Sequence, residues 1–508
     1  MSKEIRIRPG SASVGQNLSE YLAQNGYPLH ADCGGRGTCG KCRVRPVAGD
    51  LYANAACTQI AIPDKDGYVL ACRTWCCSDA IIALECFTGD GLTDFGKQAD
   101  TTSTDTPEEF LGIALDIGTT TLAAALVDTR NGNVLATASA LNPQASFGAD
   151  VISRIESVMR GPESLAQMQH VLLDSIREML AQLLRHKTAT HMTVAGNPTM
   201  LHIFAGISPV GMGAYPFTPA FTESKTFPGK QFRLPVQSVT LLPSISAFVG
   251  GDITAGMLHV DLANSDLPAL LLDVGTNGES VLFAGKSRDS HLYAASAAAG
   301  PAMEGAGIST GMGGVAGAVC AFRMQSGRPL FSTVGDAPAR GICGSGLIDL
   351  IAALYQADII DETGAFDMGD QFVYATTQSG APLALTQADI RAFQLSKSAI
   401  RASLDALCAH AKIAPEEIEH VYLAGGLGYY MNVDSAVAIG LLPKEFQGHT
   451  QSVGNAALGG CVRVLADPAL LDSLQAQAAQ CRTLELSTDA TWNQSFMEHM
   501  MFPERDEI

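Results

Sequence analysis

Residues 111–139 read LGIALDIGTTTLAAALVDTRNGNVLATAS, and this stretch decides the fold of most of the chain. Two apolar runs rich in Ala, Leu and Val are separated by a turn at Gly118, and Asn131-Gly132 precedes a third run. Asn-Gly between apolar runs is the strongest short signal for a two-residue hairpin turn. The pattern therefore predicts three consecutive strands joined by tight turns, with Asp116 near the end of the first strand.

A similar pattern recurs in residues 268–285, PALLLDVGTNGESVLFAG, where Asp273 takes the place of Asp116. Apolar spacing close to 3.6 residues predicts amphipathic helices over 163–184, 344–357 and 397–411. Strands that alternate with helices indicate an α/β body. The repeated strand–turn–strand unit indicates an internal duplication into two lobes.

The composition limits the possible partners and the location. The chain has 508 residues, a net charge of −19 and only 16% charged residues, so it is too long for one domain and apolar enough for large cores. An acidic chain lacks the basic surface that nucleic acid or an anionic membrane requires. The start, MSKEIRIRPG, has no apolar signal segment, and no run reaches the roughly 18 apolar residues of a membrane span. We therefore expect a cytoplasmic protein with no nucleic-acid or membrane partner.

The first part of the chain is unusually rich in cysteine. Residues 30–46, HADCGGRGTCGKCRVRP, hold Cys33, Cys39 and Cys42, and Cys72 follows in YVLACRTW. Thiolates are soft ligands suited to iron–sulfur clusters and to zinc, and the glycines of the loop let the backbone wrap closely around a cluster. Structural zinc sites usually combine two separated Cys-x2-Cys pairs, whereas only Cys39 and Cys42 form one here. The pattern favours a cluster over zinc.

Four more cysteines fall in the same region and are not needed for one cluster. The pattern favours core or surface thiols for them over ligands of a second cluster. They are Cys57, Cys76, Cys77 and Cys86.

Changes of composition predict the domain boundaries. Residues 1–95 alternate like a small β-rich domain, with Ile5 and Ile7 on one face. Residues 96–110, GKQADTTSTDTPEEF, are rich in Thr and Asp and predict a flexible, solvated linker. Residues 111–508 then form the α/β body.

The two glycine turns and a third glycine motif predict a nucleotide site. Successive N–H groups and threonine hydroxyls in such turns can surround phosphate oxygens, and Asp116 and Asp273 are suited to hold Mg²⁺ through water. In VYLAGGLG, bare backbone after a strand suits adenosine. No GxxxxGK[ST] phosphate loop is present, which excludes a P-loop ATPase. The candidate nucleotide residues are Gly118, Thr119, Thr120, Thr121, Gly275, Thr276, Asn277, Gly278, Gly425 and Gly426.

Three other polar residues have two readings each. Asp150 and Asp252 lie beside glycines, so they either face the cleft or serve as helix-capping and turn residues. His202 is interpreted as a core or cleft-wall residue rather than as a metal ligand.

Both parts of the chain resemble known families. Residues 1 to about 90 resemble ferredoxins of the plant and adrenodoxin type. This implies an α+β, β-grasp domain with a 2Fe–2S cluster on Cys33, Cys39, Cys42 and Cys72. The three glycine motifs resemble the phosphate-1, phosphate-2 and adenosine motifs of acetate and sugar kinases, heat-shock chaperones and actin. That resemblance implies a two-lobed, actin-like ATPase with ribonuclease H-like lobes, in which Asp116 and Asp273 are catalytic and bind ATP with Mg²⁺.

The order of the motifs resembles one family as a whole, the reductive activators of corrinoid proteins. The motifs are NPQxxFGxDVISRI, GNPTM, LDVGTNGE, AGPAMEGAGIS, GICGSGLID and YLAGGLG. The resemblance implies ATP-dependent reduction of a corrinoid cobalt from Co(II) to Co(I) by an electron from the cluster. It also implies a corrinoid protein of a methyltransferase system and an upstream electron donor as partners, and it leaves a homodimer open.

Two alternative functions remain open at this point. The acceptor is either a corrinoid protein or another low-potential metalloprotein, since the sequence does not separate the two. The chain is otherwise a nucleotide-binding switch whose cluster senses redox state without turnover.

Overall fold

The structure, a computed structural model, describes residues 2–8, 15–24, 42–63, 67–85, 106–148, 150–275, 277–286, 291–305 and 307–504. Backbone contacts divide the chain into two compact units. The first consists of residues 1–90 together with 314–341 and 375–381, and the second contains the remainder of the chain.

The N-terminal part of the first unit is a four-stranded antiparallel sheet with one helix. The sheet has the order β1-β6-β3-β4, and a separate short ladder joins β2 to β5. Ile5 and Ile7 are buried beside Leu18 and Leu22, which confirms their predicted common face. The elements are β1 (Ser2–Ile7), β2 (Gln16–Asn17), α1 (Leu18–Gln24), β3 (Arg43–Ala48), β4 (Val69–Leu70), β5 (Trp75–Cys76) and β6 (Ala80–Glu85).

The first lobe of the second unit is built on a six-stranded mixed sheet of order β11-β12-β10-β7-β8-β9. Its strands β7, β8 and β9 form the predicted antiparallel meander, and β10 and β12 run parallel to β7. The strands are β7 (Leu111–Ile117), β8 (Thr121–Asp128), β9 (Asn133–Leu141), β10 (Ala189–Gly196), β11 (Lys225–Pro228) and β12 (Val236–Leu241). The helices are α2 (Val151–Met159), α3 (Pro162–Leu184), α4 (Pro198–Ala205) and α5 (Gly251–His259).

Strand β7 shows why this sheet is buried on both faces. Side chains alternate across a strand. Leu111, Ile113 and Leu115 therefore pack in the core that contains α3, whereas Ala114 lies in the opposite core with the helix that follows β22. One face thus carries large side chains and the other small ones, which lets that helix approach the sheet closely.

The second lobe repeats the arrangement of the first. Its sheet has the order β22-β21-β13-β14-β15-β23, again with an antiparallel meander (β13, β14, β15) and two strands parallel to its first strand. The repetition confirms the predicted duplication. The strands of this sheet are β13 (Ala269–Val274), β14 (Gly278–Phe283), β15 (Leu292–Ala297), β21 (His420–Ala424), β22 (Thr450–Gly454) and β23 (Arg482–Thr483). Two separate small sheets lie between β15 and β21 in the chain, and residues 314–341 and 375–381 of this stretch belong to the first unit. One sheet holds β16 (Ala318–Gln325), β17 (Arg328–Thr333) and β18 (Gly341–Ile342), and the other holds β19 (Gln371–Thr376) and β20 (Pro382–Thr386).

Three predicted helices are present. The one predicted over 397–411 begins ten residues earlier, because Thr386 caps it through the backbone N–H of Asp389. The helices of this half of the chain are α6 (Gly344–Gln356), α7 (Gln387–Ala411), α8 (Gly425–Tyr430), α9 (Val433–Ala438), α10 (Ala456–Ala466), α11 (Leu470–Gln480) and α12 (Ala490–Glu498). No helix in the described part of the chain is long and apolar enough to cross a membrane.

Two helices lie between the sheets of the second unit. Helix α10 packs on the first sheet through Leu458 and Cys461, and α5 packs on the second sheet through Ile253 and Met257. The two helices also pack against each other. They therefore join the lobes through one continuous apolar layer.

The end of the predicted linker makes contacts with the body. Of residues 96–110, only 106–110 are among those described, and three of these five are exposed. Thr106 is buried and its hydroxyl donates to Asp128, while Glu108 accepts hydrogen bonds from the N–H and hydroxyl of Thr188. The bounds of the linker stay a prediction, and its last residues combine solvent exposure with specific bonds to the body.

A buried lysine holds the last described segment against α7. Lys397 is fully buried and its Nζ donates to the carbonyl oxygen of Met501 at 2.6 Å. Gln394 donates to the carbonyl of Met500, and the buried ring of Phe502 lies beneath the Lys397 ammonium. Burial, with a smaller effect of the Arg401 charge, lowers the pKa of Lys397 to about 7.

We expect this lysine to make stability depend on pH. Its folded pKa of about 7 lies below the value near 10.4 of an exposed lysine, so the unfolded chain binds more protons between these values. Stability should therefore rise from pH 7 to about pH 10, by at most about 1.4 kcal/mol per pH unit. Lys397→Met should remove this rise, measured by thermal melting at pH 7 and pH 9. The exposed Lys230→Met is the control, and a parent–variant difference equal at both pH values would contradict the assignment.

Candidate functional site

Two of the four predicted cluster ligands lie together in the first unit. The Sγ atoms of Cys42 and Cys72 are 3.2 Å apart and both side chains are buried, while the N–H of Ala71 donates to the Cys42 carbonyl. A tetrahedral metal with bonds of ~2.3 Å to thiolates separates two sulfurs by roughly 3.8 Å. The pair therefore fits two ligands of one iron. Cys33 and Cys39 lie outside the described residues, and the described residues alone contain no group of three metal ligands.

The remaining cysteines of this region are of two kinds. Cys76 is a buried thiol near the carbonyl of Gln16, as predicted for a core residue. The sulfurs of Cys57 and Cys77 meet each other, and their Cα atoms are 6.4 Å apart, a separation that a disulfide can span. The prediction of unpaired thiols is therefore wrong for Cys57 and Cys77, because their spacing in the sequence gave no signal for this pair. Cys86 lies outside the described residues.

Asp116 lies near the end of β7, beside the residue that caps helix α10. Its Oδ2 accepts a hydrogen bond from Asn455 Nδ2 at 2.9 Å. Asn455 also caps α10, because its Oδ1 accepts from the N–H of Leu458. The carboxylate of Asp116 is thus held at the N-terminal end of the helix that packs between the lobes.

The turn after Asp116 is held by two asparagines. Asn142 Nδ2 donates to the Gly118 carbonyl at 2.8 Å, and the Asn142 N–H donates to the Thr120 carbonyl at 2.8 Å. Asn197, which caps α4, donates to the Thr119 hydroxyl at 3.1 Å. The segments around Asn142 and Asn197, which stood out in the sequence without an evident role, therefore fix the first glycine turn.

Asp273 occupies the equivalent position at the end of β13. In the following turn the N–H of Gly275 donates to the carbonyl of Asn277, whose side chain donates to Glu279. Gly425, at the start of α8, has a φ of +77°, and a Cβ there would overlap the Asp273 carboxylate. Glycine is therefore required at residue 425 by backbone conformation and by space.

The two strand ends meet in what we term the carboxylate cluster: Asp116, Asp252, Asp273, Glu279 and Glu304. Burial raises the pKa of Asp116 to about 7 and that of Asp252 to about 6. Burial, then the charges of Asp252, Asp116 and Glu304, raises the pKa of Asp273 to about 7. Burial and the charges of Asp252 and Asp273 raise the pKa of Glu279 well above its usual value. This negative charge suits a hard divalent cation held through water, since no three of these side chains converge as direct metal ligands.

The other predicted nucleotide-binding residues have different surroundings in the structure. Gly426 has open space around it, whereas Gly278 lies within β14 against Ile400, which indicates a packing role. Thr121 begins β8 opposite Leu141. Thr276 lies outside the described residues.

Asp150 and Asp252 were each expected either to face the cleft or to serve as a capping or turn residue, and the structure differs between the two. Asp150 caps α2 through the N–H of Ser153, whereas Asp252 belongs to the carboxylate cluster. His202 is a core residue, as expected: it is buried, stacks on Phe221 and bonds to the carbonyl of Pro198.

Sequence reasoning missed Asn455, Glu279 and Glu304. Asn455 carried a usable signal, since an asparagine between a strand and a helical pattern is a typical N-cap. Glu279 also carried a signal, because it pairs with Asp273 across the predicted strand–turn–strand unit, β13 and β14. Glu304 carried none, because it reaches Asp273 only through the packing of the second lobe.

Comparisons with known proteins agree with both parts of this description. The chain matches three family models, described as the C-terminal domain of RACo, the ASKHA domain (residues 268–508), the RACo middle region (111–265) and a 2Fe-2S iron-sulfur cluster binding domain (10–77). These matches agree with the predicted ferredoxin domain and the actin-like ATPase.

Individual relatives and one solved structure agree with these family matches. The chain is 33% identical over 421 residues, 77% of its length and 70% of the relative's, to the corrinoid activation enzyme RamQ of Eubacterium limosum. It is 25% identical over 426 residues, 76% of each chain, to the reductase of the Co(II) methylated amine-specific corrinoid protein of Methanosarcina barkeri. A solved structure, the reductive activator for corrinoid,iron-sulfur protein, superimposes with a TM-score of 0.71 at 30% identity and 96% coverage of both chains.

The first expected outcome concerns the cysteines. Cys72→Ala should abolish the visible absorption and the iron content of the anaerobically purified protein, because it removes one sulfur of the 3.2 Å pair. Cys320→Ala is the control, since Cys320 lies on β16 beside the carbonyl of Ser332. A Cys72→Ala protein with the parent's iron content and spectrum would refute the assignment.

The second concerns the adjacent glycines of α8. Gly425→Ala should lower the melting temperature, because a left-handed backbone costs a side-chain-bearing residue about 1–2 kcal/mol and the new methyl group displaces Asp273. Gly426→Ala has open space and should melt like the parent. Thermal melting of both variants without nucleotide checks this, and equal melting temperatures would refute the packing argument.

Proposed function

The chain belongs to the family of reductive activators of corrinoid proteins, and from this premise we propose that it uses ATP hydrolysis to return an electron to the cobalt of a corrinoid protein. The substrate cobalt passes from inactive Co(II) to Co(I). The observation that carries the proposal is the presence in one chain of a paired-cysteine site and a carboxylate cluster between two duplicated lobes.

The electron-transfer part of the proposal rests on the first unit. We assign Cys33, Cys39, Cys42 and Cys72 as ligands, two of them from the 3.2 Å pair and two from the sequence motif alone. When bound, a 2Fe–2S cluster supplies a one-electron carrier of low potential. The buried sulfurs of Cys42 and Cys72 limit the access of water to this side of the site.

The nucleotide part rests on the carboxylate cluster. We propose that Asp116 and Asp273 hold Mg²⁺ through water and so orient the ATP phosphates. The N–H groups of Gly118, Thr119 and Thr120 donate to phosphate oxygens. In the second turn the Gly275 N–H donates to the Asn277 carbonyl, so this bond shapes the turn that faces the phosphates. Bare backbone at Gly425 and Gly426 accepts the adenosine.

Coupling follows from the energy that the electron requires. A one-electron gap of about 100–200 mV corresponds to roughly 2–5 kcal/mol, which ATP hydrolysis can supply. ATP and the corrinoid protein must then favour the same arrangement of the lobes, since a ligand shifts a conformational equilibrium only through differential affinity. Residues that contact both lobes, such as Asn455, are positioned to link nucleotide binding to the arrangement of the lobes.

Two further parts of the proposal concern the surroundings of the reaction. An upstream electron donor re-reduces the first unit after each turnover, because the proposed reaction takes one electron from it each time.

The cytoplasm is the proposed location. Buried thiols such as Cys408 and Cys461, which have no disulfide partner among the described residues, suit a reducing compartment, and the Cys57–Cys77 pair is the exception to this pattern.

The decisive experiment is anaerobic reduction of a Co(II) corrinoid protein with a donor no stronger than the cluster itself. Co(I), followed by its absorption and by loss of the Co(II) paramagnetic signal, should form only when ATP and Mg²⁺ are both present. Asp273→Asn should lower the rate of ATP hydrolysis by about 100-fold or more, since it removes a charge at the cation site.

The control is Asp367→Asn, an exposed carboxylate far along the chain from both glycine turns, which should behave like the parent. Equal yields of Co(I) with and without ATP would overturn the proposal. Nucleotide affinity that changes with the oxidation state of the cluster, without ATP-dependent Co(I), would instead favour the redox switch.

A further inference from the structure

Arg154 is a fully buried arginine that the function described above does not use. It lies on α2 within the DVISRI segment, and no part of its side chain is exposed to solvent. Charged side chains are rarely buried unless they are paired. Its partners should therefore indicate what it does.

The guanidinium binds carbonyl and other neutral acceptors instead of a carboxylate. Nη2 donates to the Thr119 carbonyl at 2.7 Å and Nε donates to the Gly148 carbonyl at 3.0 Å. Nη1 faces Gln144 Oε1 at 3.4 Å and the sulfur of Met200 at 3.1 Å. Arg154 has no ion pair with any described residue. Burial lowers its pKa to about 10, so the group still carries its charge at neutral pH.

The bond to Thr119 completes a pattern along the first glycine turn. The carbonyls of three successive residues are all taken: Gly118 and Thr120 by Asn142, and Thr119 by Arg154. In a trans peptide the C=O and the next N–H point in opposite directions. Holding these carbonyls on one side therefore turns the N–H groups of Thr119 and Thr120 toward the other side.

Those two N–H groups have no acceptor among the residues that the structure describes. Thr119 is half-buried and Thr120 is exposed, so the first donor calls for a partner and the second is open to a molecule arriving from solvent. A pair of donors left open beside the carboxylate cluster is therefore available to a ligand. A positive charge behind the Thr119 carbonyl also polarises that peptide and makes the N–H of Thr120 a better donor to an anion.

We propose that Arg154 is a positioning residue for nucleotide phosphate: through the Thr119 carbonyl it fixes the turn so that the N–H groups of Thr119 and Thr120 face the phosphate oxygens. This inference rests on the proposed ATP-dependent function and names a residue that acts behind the site, without touching the nucleotide. The same guanidinium ties the turn to the loop at Gly148, so the turn and the start of α2 move as one body.

The test compares Arg154→Met and Arg154→Lys in the full-length protein with its cluster. Titration calorimetry measures the Kd for Mg·ATP and for adenosine. Arg154→Met should weaken ATP by about 10- to 100-fold, the worth of a charge-assisted hydrogen bond, because the turn loses its anchor. Adenosine lacks phosphates and should bind within about twofold of the parent. Arg154→Lys keeps the charge but loses the planar fork, so its ATP affinity should lie between.

The matched control is Arg177→Met. Arg177 also donates from a helix of the first lobe to a backbone carbonyl, that of Phe232 at 3.0 Å, but Phe232 belongs to neither glycine turn. This variant should bind ATP and adenosine like the parent. Parent-like affinity of Arg154→Met for ATP would overturn the proposal, as would equal losses for ATP and adenosine, which indicate a merely structural role. If Arg154→Met does not fold, Arg154→Lys decides between the same outcomes.

The parent protein separates this inference from the proposed function. If the parent binds ATP but produces Co(I) without needing it, the proposed function fails while the ratio of ATP to adenosine affinities still tests Arg154. If the parent couples ATP to Co(I) and the ratio is unchanged in Arg154→Met, only the role of Arg154 is wrong.

Discussion

Repulsion among half-buried carboxylates is the constraint on which the rest of the second unit depends. Asp116 and Asp273 lie at the ends of the first strands of two duplicated sheets. Burial is the main cause that raises their pKa values, and neighbouring carboxylates add to it: Asp252 acts on Asp116, and Asp252, Asp116 and Glu304 act on Asp273. Such a cluster is unfavourable in the protein alone, so we expect a cation bound near these strand ends to stabilise it.

The ends of β7 and β13 lie close together because the two helices between the lobes, α5 and α10, pack closely. Helices α5 and α10 present small residues to each other, and Gly460 lies so near the backbone of Ala255 that any side chain would overlap it. Small residues at a helix interface let the backbones approach closely. The close contact brings the N-terminal end of α10, and with it Asn455, to Asp116. Packing within the apolar layer thus sets the distance between the polar groups.

Local patterns predicted the elements well and the site only in part. Asn131-Gly132 and the two Asp-x-Gly turns fixed the meanders, because hairpin chemistry is contained in a few adjacent residues. Arg154 and Asn455 reach the first turn from 35 and 339 residues away, so no local pattern could place them there. A similar limit applies at the end of the predicted linker: the polar character of Thr106 was visible in the sequence, but its bond to Asp128 was not.

Asn455 shows how a signal can pass between the lobes. It follows β22 of the second sheet, caps α10 and donates to Asp116 of the first sheet, so one side chain connects three elements. A cation that binds Asp116 competes for the same carboxylate oxygens and changes the balance of charge that this hydrogen bond stabilises. Since α10 packs on β7, β8 and β10 of the first sheet, a small shift at its cap is transmitted by a rigid element rather than absorbed by a loop. We therefore expect that a change in the phosphates bound at the proposed nucleotide site also changes the packing between the lobes.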